Sequence, residues 1–140
     1  GRWKGRRPVV GYTVQRPEHW AFEGTGLERG DVFGADPTQP VVGYECDSAP
    51  FKIDADGTAV IIDPVSYATP ATFEILGLAE LNRAWSSRKG HSATMGAFSV
   101  DGGGEVFNAA TTDWVKLLDR DPAVTRITRN VLNRFARLDP

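Results

Sequence analysis

Thiol and metal chemistry have little to work with in this chain: one cysteine and two histidines stand among 140 residues. A lone Cys46 cannot close an intrachain disulfide, so nothing points to an oxidising compartment and a cytoplasmic protein is expected. His19 and His91 belong to no two-histidine motif, which argues against a zinc site built within the chain. No apolar run reaches the ~20 residues of a membrane span, and no signal-peptide pattern opens the sequence. A basic excess is also missing. Sixteen Lys and Arg face eighteen Asp and Glu, a net charge of −2 that argues against general nucleic-acid affinity.

What is present suits one globular domain with a real core: 41% hydrophobic and 24% charged residues. Charge is uneven. Arg2, Lys4, Arg6 and Arg7 make the start basic, whereas residues 17–80 hold twelve acids against Arg29 and Lys52. The chain opens Gly1-Arg2-Trp3 without methionine, so a processed product or a piece of a longer polypeptide is one expectation.

Periodicity places the elements. Residues 12–14 lie in a possible short strand bounded by prolines, and residues 31–40 read as loop. Residues 41–46 alternate, which predicts a strand with Val42, Tyr44 and Cys46 on one face and Val41, Gly43 and Glu45 on the other. Asp54-Ala55-Asp56-Gly57 lacks the later ligands and closing glutamate of a calcium loop and reads as a hairpin turn. Residues 72–77 predict a strand, and residues 78–85 a brief helix or ragged strand. Residues 93–100 and the segment from Glu105 predict a hairpin around Asp101-Gly102-Gly103-Gly104, where glycine supplies positive φ.

The C-terminal helix carries the strongest pattern. Asp121-Pro122 puts a cap before a proline suited to the first helical position. Val124, Ile127, Val131, Leu132, Phe135 and Leu138 then form one apolar stripe, with Arg126, Arg129, Arg134 and Arg137 on a solvated face. The fold class is therefore mixed α and β, several strands plus a C-terminal helix.

Candidate chemistry is sparse. No G-x-S-x-G elbow occurs. Cys46 sits between Glu45 and Asp47, whose charges disfavour a thiolate, so it reads as a core residue. An oxygen-rich iron site can draw on Tyr12, Tyr44, Tyr67 and carboxylates, but no spacing singles any of them out. Glu45 is the best general acid–base candidate, at the end of the 41–46 strand, with a solvated edge charge as the alternative. His91, between Gly90 and Ser92, can donate to a substrate oxygen or serve as a cap. Asn108, Thr111, Thr112 and Asp113 gather before a predicted turn at 114–118; Thr112 or Asp113 caps that turn, or Asn108 and Thr111 line a pocket.

Several local motifs recur in one order: Trp20-Ala-Phe-Glu-Gly-Thr-Gly-Leu, Gly43-Tyr44-Glu45-Cys46-Asp47, Gly90-His91-Ser-Ala-Thr94-Met95, Val106-Phe107-Asn108-Ala-Ala-Thr111-Thr112-Asp113-Trp114, and Arg126-Ile127-Thr128-Arg129-Asn130. Together they resemble the C-terminal region of the N,N-dimethylformamidase large (beta) subunit-like family, over residues 20–138. The resemblance implies a dimethylformamidase-like C-terminal domain at 20–140, preceded by a basic segment or strand at 1–19. It implies an α/β setting, the end of a glutamine-amidotransferase-like domain in a much longer, oligomeric polypeptide. It further implies hydrolysis of a small amide by a mononuclear iron whose ligands lie outside this chain. Glu45 then becomes the residue for substrate polarisation or proton transfer, with His91, Asn108, Thr111 and Thr112 as pocket wall. Such a segment should be inactive alone and leave apolar patches where the rest of the polypeptide packs. The other reading is a non-catalytic binding or assembly domain.

Overall fold

A computed structural model describes residues 11–81 and 92–137. In chain order the strands are β1 (Tyr12–Val14), β2 (Val32–Phe33), β3 (Phe51–Ile53), β4 (Ala59–Ile61), β5 (Glu74–Glu80), β6 (Ser92–Val100) and β7 (Gly104–Asn108), followed by one helix, α1 (Pro122–Phe135). Short 3₁₀ turns occupy Trp20–Phe22 and Trp114–Leu117. Five strands form a sheet in the order β2-β1-β5-β6-β7, and β3 and β4 form a separate hairpin. Every pairing is antiparallel. The architecture is mixed, as the sequence pattern implied: antiparallel sheet with one C-terminal helix.

Alternation along β5 and β6 gives the large sheet two apolar faces. Leu76, Ala79, Ala93, Met95 and Ala97 join Tyr12, Val14, Phe22, Phe33, Trp114, Leu117, Val124 and Ile127 in the main core. Ile75 and Leu78 instead pack with Ala59 and Phe73, backed by Phe51, Ile61 and Phe98. The β3–β4 hairpin thus covers one face, while α1 and the 3₁₀ turns cover the other. A register shift between Ile75 and Gly77 marks a bulge in β5.

Gly96 shows how tightly the second face closes. A Cβ there would lie 2.5 Å from both the Glu74 carbonyl oxygen and the Phe73 ring. Gly96→Ala should therefore destabilise the domain by about 1–3 kcal/mol, the usual cost of overpacking, read as a lower midpoint in urea unfolding. The β6–β7 turn behaves as its sequence requires, with Gly102 and Gly103 at positive φ.

Three expectations are corrected. Residues 41–46 are not a strand; only Cys46 forms an isolated bridge, to Thr111. Val41, Val42 and Gly43 are all buried, so the stretch is enclosed on both sides, and the Val41 N–H donates to the Gly34 carbonyl rather than to a ladder. Residues 31–40 are not all loop, because β2 forms there against β1. The α1 stripe is only half used. Val124 and Ile127 are buried, but Leu132 and Phe135 are 63% and 45% exposed, since the main core ends before the last turn of the helix. Leu138 lies outside the described residues. Elsewhere β5 extends through Glu80, so the segment after residue 77 begins as strand.

Candidate functional site

The segment from Glu45 to Ala49 is tied along both edges by backbone hydrogen bonds. The Thr112 N–H donates to the Glu45 carbonyl at 3.1 Å and the Asp47 N–H to the Ala110 carbonyl at 3.0 Å. On the β6 side, the Thr94 N–H donates to the Asp47 carbonyl at 3.1 Å. The Ala49 N–H donates to Thr94 Oγ1 at 2.7 Å, and the Ser48 and Ser92 hydroxyls meet at 2.8 Å. The frame is hydrogen-bonded on both sides although it carries no strand. From it the Glu45 carboxylate extends exposed, without a hydrogen-bond or ion-pair partner among the described residues.

The other expected wall residues divide by their hydrogen bonds. Asn108 Oδ1 accepts from the Ala110 N–H at 2.8 Å, which holds a turn where Ala110 has φ +58°. Thr111 Oγ1 donates to the Val41 carbonyl at 2.7 Å and accepts from the Asp113 N–H at 3.2 Å. Both side chains therefore build the loop. Thr112 is exposed beside Glu45, and His91 lies outside the described residues. Asp113 stands before the 3₁₀ turn but makes no side-chain cap. Its carboxylate is wholly buried, takes Lys116 Nζ at 2.6 Å, and leaves Oδ2 without a partner among the described residues. Cys46 packs at the edge of the main core and burial pushes its thiol pKa up, which suits an inert thiol.

A second polar cluster was not legible in sequence. His19, Trp20, Glu74, Glu105 and Arg134 line an open groove of about 430 Å³ over the rung where Glu74 pairs with Ala97. Arg134 forks onto Glu105 through two bonds of 2.9 Å and lies 5.1 Å from the Trp20 ring centroid. Hydrogen bonding to Arg134 holds the Glu105 carboxyl below its ordinary range. His19 Nδ1 accepts from the Ala21 N–H at 3.2 Å, capping the first 3₁₀ turn, and Nε2 stands 3.7 Å from Glu74 Oε2. Pairing of β5, β6 and β7 brings Glu74 and Glu105 to one face, and packing of α1 on the first 3₁₀ turn adds Arg134, His19 and Trp20; the one local signal was the His19-Trp20 pair ahead of a short apolar turn.

His19 gives a pH prediction. Burial lowers its pKa from the ordinary 6.5, more than the Glu74 charge raises it. The folded state holds the neutral ring, so the unfolded chain takes up the proton first as pH falls. Stability from this site is complete above 6.5 and is lost as pH drops through the folded value. His19→Asn keeps a capping acceptor without titrating. Its melting temperature should therefore fall less than that of the parent between about pH 7 and pH 5, as followed by circular dichroism.

The family model described as N,N-dimethylformamidase beta subunit-like, C-terminal, matches residues 3–129. The chain belongs to that family. Comparison with curated proteins and with solved structures returned no match. The match in this dimethylformamidase-like domain takes in β1, ahead of residue 20, together with the 45–49 and 108–113 frame.

The family resemblance implies an iron whose ligands are expected outside this chain, and among the described residues no group of three His, Cys, Asp or Glu side chains gathers to hold a metal. Tyr12 is buried, its hydroxyl donates to the Ala109 carbonyl at 2.7 Å, and burial raises its pKa far from any phenolate role. Tyr67 is on the surface. No chemical step is assigned to iron on these residues. No helix among the described residues is long and apolar enough to cross a membrane.

Proposed function

We propose that this domain is the C-terminal part of a small-amide hydrolase, supplying Glu45 and Thr112 to the rim of a pocket completed by the remainder of a longer polypeptide. The observation that carries the reading is the Glu45 frame. Its backbone is fixed by Thr112, and its neighbours by Ala110 and Thr94, yet its carboxylate has no partner among the described residues. A carboxylate held this way can take a proton from the attacking water and return it to the departing amine as the C–N bond is cleaved. The iron and its ligands belong to the rest of that polypeptide. His91 and Thr112 make the substrate wall, with Asn108 and Thr111 holding the loop that presents it. The exposed Leu132 and Phe135 on α1, with Val115 and Leu118 after β7, suit burial against that same polypeptide or a second subunit.

The second reading, a non-catalytic assembly domain, draws on the same exposure of Glu45 and on a core that closes without other chains. Amine release from N,N-dimethylformamide by the intact polypeptide separates the two, with Glu45→Gln as the deciding variant. Turnover that depends on Glu45 supports the hydrolase. Turnover that ignores the substitution supports assembly.

A further inference from the structure

Asp113 is wholly buried, and only one of its carboxylate oxygens is used. Lys116 takes Oδ1, and Oδ2 has no hydrogen-bond partner among the described residues. A bare acceptor in the interior is costly, so its place in the fold calls for a reason. What Oδ2 meets is Gly43. A Cβ on Gly43 would stand 2.5 Å from that oxygen, with the next atoms, both on Pro40, at 3.3 and 3.4 Å. Gly43 does not lie in the left-handed region, so its backbone does not demand glycine; the carboxylate does. A Cα hydrogen of Gly43 therefore faces Oδ2, a weak donor at most. We infer that Asp113 is a positioning residue for Glu45: its carboxylate is wedged beneath Gly43 and fixes the turn from which the Glu45 side chain departs. The consequence for turnover rests on the hydrolase reading; the contact itself does not.

Three successive residues grip the segment at alternate positions. The Thr111 hydroxyl donates to the Val41 carbonyl at 2.7 Å, and the Thr112 N–H donates to the Glu45 carbonyl at 3.1 Å. Gly43, midway between those two anchors, is met by the Asp113 carboxylate. The wedge is itself held at both ends. Thr111 Oγ1 accepts the Asp113 N–H at 3.2 Å, and the Asp113 carbonyl accepts the Lys116 N–H at 3.0 Å. The Lys116 ammonium, one 3₁₀ turn further on, grips Oδ1 at 2.6 Å and keeps the carboxylate from swinging away from Gly43. Gly43 and Glu45 are two residues apart, so a shift of the turn at Gly43 is carried to the side chain that projects from it. Misplacement of a reacting group by about 1 Å can cost ~10²-fold in rate.

Amide hydrogen exchange of the full chain, followed residue by residue by NMR, tests the wedge without any substrate. In D113A the Thr112 and Asp47 amides should exchange at least about tenfold faster, while the amides of β5 and β6 keep their rates. D113N keeps the size of the side chain and an acceptor for Lys116, and should restore protection to within about threefold of the parent. G43A presses on the same contact from the other side and should loosen the same two amides, which keeps the test open if D113A does not fold. In the intact polypeptide, D113A should lower kcat for N,N-dimethylformamide at least about tenfold with KM changed less than about threefold, and D113N should recover most of the loss. The wedge is overturned if Thr112 and Asp47 stay protected in both D113A and G43A. It is equally overturned if protection falls throughout β5 and β6, because Asp113 is then ordinary core. Local loosening beside turnover that ignores Glu45→Gln defeats the hydrolase reading and leaves the wedge standing. Turnover that needs Glu45 but is untouched by D113A overturns the positioning role.

Discussion

Trp114→Ala should cost the domain about 3–5 kcal/mol, the range for removing a large aromatic side chain from a core. Four elements meet at this ring. It stands edge-on to Phe33 of β2 at 6.3 Å and to Phe107 of β7 at 6.1 Å, and its Nε1 donates to Thr128 Oγ1 of α1 at 3.0 Å. The 3₁₀ turn that carries it supplies Leu117 to the same core. Total stabilities of about 5–15 kcal/mol are ordinary, so the variant should be largely unfolded or close to it at 37 °C. Trp114→Phe keeps the ring contacts and gives up the indole hydrogen bond. Thr128 still donates to the Val124 carbonyl, so that substitution should cost only about 1–2 kcal/mol. Urea unfolding of both variants checks the pair, and equal midpoints would mean that the ring stack contributes nothing.

The elements legible in sequence were those with a local cause. Asp121 caps α1 through the Ala123 and Val124 N–H groups, with Pro122 in the first turn, as the Asp-Pro pair required. Asp54 accepts from the Asp56 and Thr58 N–H groups around Gly57, which makes the β3–β4 hairpin turn. Residues 41–46 failed because alternation reports only one covered face. There Val41 is pinned on one side by Gly34 and on the other by the Thr111 hydroxyl, so its polar groups leave the strand pattern. The outer half of the α1 stripe failed for a different reason. Periodicity says which face is apolar, and the length of the underlying sheet decides how much of it is covered.

Short polar residues misled in the same way at the candidate site. Asn108, Thr111 and Asp113 are common in binding loops and equally common where a loop must satisfy its own backbone. Two of them do that work here, and Asp113 binds Lys116. The groove of His19 and Glu74 depends on packing that no local window contains. Glu45 was reached by the resemblance together with its place in the 41–46 pattern. The strand reading was wrong; the segment is held instead by backbone hydrogen bonds to Thr112, Ala110 and Thr94.

Glu45→Gln in the intact polypeptide should lower amine release from N,N-dimethylformamide by about 10²-fold or more, the scale of a lost general acid–base group. The amide keeps the size and one acceptor oxygen of the carboxylate, but it cannot take a proton. Because the side chain is exposed and unpaired among the described residues, its replacement should leave stability within about 0.5 kcal/mol. Loss of turnover with an unchanged melting temperature and an unchanged mass of the purified complex would then locate the defect in the chemical step. Thr112→Val is the companion variant. It removes a hydroxyl but not the N–H that holds the Glu45 carbonyl, so KM should rise while kcat changes little. If Glu45→Gln turns over as the parent does, the carboxylate is a solvated rim charge and the domain serves assembly. If turnover and assembly fail together, as judged by the mass of the purified complex, Glu45 acts at the interface instead of on the substrate.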